Sequence, residues 1–205
     1  MTQNRDRLHV VLVPGLGDGS RWLVRAQREA LRSWRPLGVR TSLFRVGWST
    51  DARFADRVEA LLAHVGRVEA RGETVVLVGA SAGAGAVLAA FAHRPDLAAV
   101  VLVTGKFHDP SAIPDPVLAY NDVFEESLHT VPTLLERLGP DERRRVLSLR
   151  SAFDSVIPDE DPVLPGAVNE EMRVVGHVSA IGYALVFRAR RIVRFAREAT
   201  GRAGR

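Results

Sequence analysis

The chain has 205 residues, 46% hydrophobic and 25% charged, a globular balance whose length suits a single domain over residues 1–205 with a sizeable core. It has no cysteine, which removes disulfides and thiolate metal sites, and no segment approaches the ~20 apolar residues needed to span a bilayer. The net charge is only +4 because 24 acids offset most of the 28 basic residues, so the whole molecule is not a polycation.

Met1–Arg7 is polar and charged, and the apolar run Leu8–Val13 that follows is shorter than the core of a secretory signal. A cytoplasmic location is therefore expected. Leu8–Val13 reads as a buried strand ended by Pro14-Gly15, and Ser20–Trp34 as a helix with Ser20 at its N-cap. Val39–Phe44 is a second strand. Asp51–Val68 is a helix, with Phe54, Val58, Leu61, Leu62 and Val65 recurring at helical spacing. Thr74–Val78 is the third strand, Ala82–His93 a helix closed by Pro95, and Ala98–Val103 the fourth strand.

A Pro-punctuated stretch follows, with a helix expected over Val117–Leu138. Val146–Leu149 and Glu171–Val175 read as strands five and six, and Ala180–Ala199 as one final helix. Strands alternating with helices imply βαβ units, right-handed crossovers and a mostly parallel sheet. Strands one, three and four are apolar almost throughout, as in a sheet covered on both faces. The expected architecture is a three-layer α/β sandwich.

Gly79-Ala80-Ser81-Ala82-Gly83 matches G-x-S-x-G between a predicted strand and a predicted helix. Roughly 0.08 chance matches are expected in a chain of this composition, so the setting carries the reading. A serine on a sharp strand-to-helix turn stands above the sheet edge. The helix then passes so close to the strand that side chains at 79 and 83 would collide, and the helix N-terminus aims free N–H groups at developing negative charge. A Gly/Ala-rich turn where a helix merely packs closely on a sheet would look similar.

Asp154 stands just past the fifth strand in Ser151-Ala152-Phe153-Asp154-Ser155-Val156-Ile157-Pro158, on the same rim as Ser81. His177 stands just past the sixth, after Gly176, which lets the chain turn. The order Ser…Asp…His is that of a nucleophilic triad on this kind of sheet.

Over nearly its whole length the chain resembles the α/β-hydrolase family. The resemblance rests on VPGLGDGS after the first strand, GASAG, SAFDSVIP and VVGH. It implies a minimal, nearly capless esterase- or lipase-like member with sheet order 2-1-3-4-5-6 and a shallow, open groove. Ser81 would attack an acyl carbonyl, His177 would shuttle the proton and Asp154 would orient it. The backbone N–H groups of Leu16 and Ala82 would form the oxyanion hole. No cofactor or metal is implied, and the partner would be a small ester or acyl substrate. Many relatives carry His-Gly where this chain has Pro14-Gly15, and His where it has Ala80. Neither residue performs the chemistry, but substrate class does not carry over with them.

Trp22, Trp48, Phe107, His108 and Ile157 follow strand ends, and each is either a pocket wall or a packing residue. His108 competes with His177 for the base, and Asp109 with Asp154 for the acid. The other histidines, His9, His64, His93 and His129, read as surface or satisfied core residues. Gly15, Gly17 and Gly19 are spaced G-x-G-x-G, not as the dinucleotide fingerprint, and no ribose-binding acid ends the second strand. Asp159, Glu160 and Asp161 read as a solvated loop. The arginines from Arg188 to Arg205 read as the solvated face of the last helix, and no nucleic acid is expected. An acyltransferase on the same triad, or a non-catalytic protein on the same scaffold, stays open beside the ester hydrolase.

Overall fold

Alternate residues of each central strand bury on opposite sides, and both sides are apolar. The computed structural model describes residues 7–107, 121–157 and 162–203. Six strands form one sheet: β1 (Arg7–Val13), β2 (Arg40–Leu43), β3 (Glu73–Ala80), β4 (Ala99–Val103), β5 (Val146–Phe153) and β6 (Val168–Val175). Their order is β2-β1-β3-β4-β5-β6, as expected from the sequence, and every pairing is parallel.

Val11, Val13, Leu77, Val100 and Leu102 face one side. There they meet α2 (Phe54–Glu69), α3 (Gly83–His93) and α4 (Asp122–Leu135). Val10, Leu12, Val76, Val78, Val101 and Leu149 face the other. There they meet α1 (Arg21–Arg32), α5 (His177–Phe187) and α6 (Ala189–Ala203). The period of two in the strands thus divides one chain into two cores around a shared sheet. α3 is buried from Gly83 to Phe91 because α2 and α4 cover the side turned from the sheet, and its sequence is apolar all round in consequence.

Several features differ from the sequence reading. β5 runs on to Phe153 and β6 begins at Val168, so both are longer than expected. Ser20 sits at the α1 N-cap without a side-chain capping bond. The single helix expected over Ala180–Ala199 is two, α5 and α6, parted at Arg188 (φ −98°, ψ 3°). Glu170 of β6 accepts bonds from both Arg188 (2.5 Å) and Arg191 (2.8 and 2.5 Å), holding the junction against the edge strand. The break lets α5 cross over β5 and β4 to reach α1, while α6 packs back on β4. A straight helix of that length cannot follow both directions. Among the described residues, no helix is long and apolar enough to cross a membrane.

Candidate active site

Ser81 follows β3, the strand between β1 and β4, and has φ 53°, a left-handed conformation rare for a side-chain-bearing residue. The sheet holds that strain in place. The Ser81 N–H donates to Val103 O (3.0 Å), and the Lys106 N–H donates to Ser81 O (3.3 Å). The flanking glycines are a steric requirement. A Cβ on Gly83 would stand 2.1 Å from Val13 O, and one on Gly79 would stand 2.5 Å from Gly83 O.

His177 reaches Ser81 from the far edge of the sheet by two devices. A register shift in the β5–β6 ladder changes the pairing from Ser151 with Met172 to Phe153 with Val175. The Ser151 hydroxyl fills the irregularity by bonding Phe153 O and Val174 O (2.8 and 2.7 Å). Gly176 then turns at φ 92°, ψ 144°, a region open essentially to glycine, and starts α5 back toward the centre.

The side chains meet in a continuous chain. His177 Nδ1 lies 2.8 Å from Asp154 Oδ2, and His177 Nε2 lies 2.9 Å from Ser81 Oγ. A carboxylate only accepts, so Nδ1 carries the ring proton and Nε2 is free to accept from the Ser81 hydroxyl. Asp154 Oδ1 accepts the N–H groups of Val156 (2.9 Å) and Ile157 (3.1 Å), which fixes the carboxylate plane. The Asp154 and His177 side chains are 5% and 10% exposed, so this pair is largely out of water. Among the described residues, neither the Leu16 nor the Ala82 N–H donates to a protein acceptor. Nor do three His, Asp or Glu side chains there converge to hold a metal ion.

No family model matches the sequence, and no curated protein matches it. Solved structures do match. Est1E from Butyrivibrio proteoclasticus aligns with a TM-score of 0.66 at 15% identity, over 95% of this chain and 88% of that one. An alpha/beta hydrolase enzyme from the sediment metagenome of the Mar Chica lagoon aligns at 0.59 and 15%, over 94% and 90%. A bromoperoxidase from Bacillus anthracis aligns at 0.60 and 13%, over 93% and 92%. The chain has the α/β-hydrolase fold.

The loop after β1 lies beside the Ser81 turn, where a Cβ on Gly15 would stand 2.8 Å from Ser81 Cβ, and two side chains latch it. Asp18, buried in the 3₁₀ turn Leu16–Gly19, accepts the Gly47 N–H (2.7 Å). The Trp48 Nε1–H donates back to Pro14 O (3.1 Å). Burial pushes the Asp18 carboxyl above its ordinary 3.8, opposed by the Gly47 bond and the Arg45 charge. Sequence reading missed Asp18, because its partners lie 29 residues away and no local pattern announces them.

The expected pocket walls fare differently. Trp48 and Phe107 are wholly buried and Ile157 nearly so. Trp48 packs on Phe54 and Phe124, with ring centroids 6.4 and 6.0 Å away, and so supports the loop from behind. Trp22 is 69% exposed at the start of α1. Phe153, Val156, Val175 and Val178 are exposed too, close in sequence to Asp154 or His177 at the C-terminal ends of the strands. His108 and Asp109 lie outside the described residues, as do Asp159, Glu160 and Asp161.

Proposed function

We propose that this chain is a serine hydrolase that cleaves a carboxylic ester through an acyl-enzyme, with Ser81, His177 and Asp154 as its triad. The observation that carries the reading is the unbroken Asp154–His177–Ser81 hydrogen-bond chain ending on a serine in a strained turn. His177 Nε2 takes the Ser81 proton as Oγ bonds to the ester carbonyl carbon, and the N–H groups of Leu16 and Ala82 receive the oxyanion. The imidazolium, held by Asp154, then protonates the departing alkoxide. Water repeats the steps on the acyl-enzyme, releasing the acid and restoring Ser81. Esterase structures among the similar folds support an ester as substrate. The apolar surface of Trp22, Phe153, Val156, Val175 and Val178 supports a hydrocarbon acyl group.

The test is labelling by a fluorophosphonate, which phosphonylates only an activated serine. Ser81 is the expected site, and Ser81→Ala should abolish labelling. It should also lower turnover of an activated ester by at least roughly 10³-fold with the circular-dichroism spectrum unchanged. A variant that still turns over near the wild-type rate would remove Ser81 from the mechanism.

A further inference from the structure

A groove of about 490 Å³ runs along the open side of β2, away from the rim that bears Ser81. β2 is an edge strand bonded only to β1, with Arg40 beside His9 and Ser42 beside Val11. The Phe44 N–H bonds to Leu12 O, so by the alternation of a parallel ladder the N–H groups of Thr41 and Leu43 turn outward into the groove. Arginines reach it from four segments: Arg28 and Arg32 from α1, Arg35 from the turn after it, Arg40 from β2 and Arg71 from the turn before β3. Arg32 pairs with Glu29 and Arg40 with Glu73. Among the described residues, Arg28, Arg35 and Arg71 have no acidic partner.

Under the groove lies a chain of polar groups that the proposed hydrolysis does not use. Buried Glu73 accepts from His9 Nδ1 (2.6 Å) through Oε2 and from Arg40 Nη1 (2.9 Å) through Oε1. His9 Nε2 meets Ser42 Oγ at 2.9 Å, and that oxygen also meets His64 Nε2 at 3.2 Å. One buried carboxylate therefore fixes both the guanidinium at the groove's lip and the imidazole that holds a hydroxyl in its wall. A buried ion pair of this kind adds little net stability, since desolvation offsets the attraction. What it supplies is fixed orientation. The surroundings are electropositive: after burial itself, the charges of Arg67, His9 and Arg71 push the His64 imidazole below its ordinary range.

Charged side chains along an edge also deter pairing with a second chain. That role needs charge alone, not a concavity with oriented donors at its wall. Nor is Ser42 a second nucleophile, because it stands within a strand, with no helix N-terminus ahead of it. We propose that the groove is a second binding site, distinct from Ser81, for a small phosphorylated molecule. Guanidiniums from separate elements can fork onto tetrahedral phosphate oxygens, outward N–H groups add donors, and the volume suits a small metabolite.

The experiment is calorimetric titration of the full chain with inorganic pyrophosphate at low ionic strength. Saturable one-to-one binding that weakens with salt is expected, unchanged in Ser81→Ala. Combining Arg28→Ala, Arg35→Ala and Arg71→Ala should raise Kd at least roughly tenfold. Equal charge loss elsewhere, in Arg53→Ala, Arg190→Ala and Arg194→Ala, should leave Kd within about twofold. Absence of saturable heat in the millimolar range would overturn the proposal, as would equal weakening by both triple variants. A single-stranded oligonucleotide that binds and is not displaced by pyrophosphate would overturn it in favour of a nucleic-acid surface.

Discussion

Asp154 shows how much of the site rests on single atoms. Its Oδ1 is committed to the N–H groups of Val156 and Ile157, so only Oδ2 faces His177. In Asp154→Asn the amide oxygen keeps those two bonds, and the amide NH₂ takes the place of Oδ2. The ring must then accept at Nδ1 and carry its proton on Nε2, where it no longer accepts from Ser81. Ester turnover should fall by roughly 10²–10⁴-fold with little loss of stability. Asp109→Asn should cost less than about tenfold, since His177 Nδ1 already has Asp154 as its acceptor. If kcat collapses in Asp109→Asn and survives in Asp154→Asn, the acid has been misassigned.

Between elements, the legible and the illegible divide by range. Strands β1, β3 and β4, the turn around Ser81 and the order of Asp154 and His177 all announce themselves within a few residues. The break at Arg188 does not. Ala184, Leu185, Ala189, Ile192, Val193 and Ala196 keep helical spacing across it, and its cause, Glu170, lies on another element. Asp18 is hidden for the same reason, and its linkage to pH exposes it. Its folded carboxyl titrates above the ordinary 3.8 because burial disfavours the charge. Between 3.8 and that raised value the folded protein holds a proton the unfolded chain has released. This contribution to stability is therefore complete below 3.8 and lost as pH rises through the folded value. Asp18→Asn cannot titrate, so its stability relative to wild type should climb with pH across that window and level off above it. Urea unfolding of both proteins at a series of pH values measures this, and a flat or falling difference would refute it.

At the scale of the whole molecule, five of the eight exposed large apolar side chains among the described residues share one rim, while Val163, Val186 and Phe187 lie elsewhere. Single exposed hydrophobics are ordinary. Here, however, Trp22, Phe153, Val156, Val175 and Val178 come from α1, β5, the acid loop, β6 and α5, and the topology gathers all of them at the C-terminal ends of the strands around Ser81. If the substrate is the proposed ester, a hydrocarbon chain leaving its carbonyl would lie across that surface. Full burial of a methylene is worth about 0.8 kcal/mol, and an open rim covers about half of the chain, so each added methylene should raise kcat/KM roughly twofold. Below micelle-forming concentrations, p-nitrophenyl esters from acetate to octanoate should climb on that slope. Trp22→Ala should flatten the slope while leaving the acetate ester within about twofold of wild type, because the shortest acyl group does not reach the indole. The binding lost is present in ground and transition states alike, so it should appear mainly in KM. An acetate ester turned over as well as the octanoate would show that the apolar rim does not bind the acyl chain. Equal losses on both esters in Trp22→Ala would show that Trp22 supports the loop after β1 instead of touching substrate.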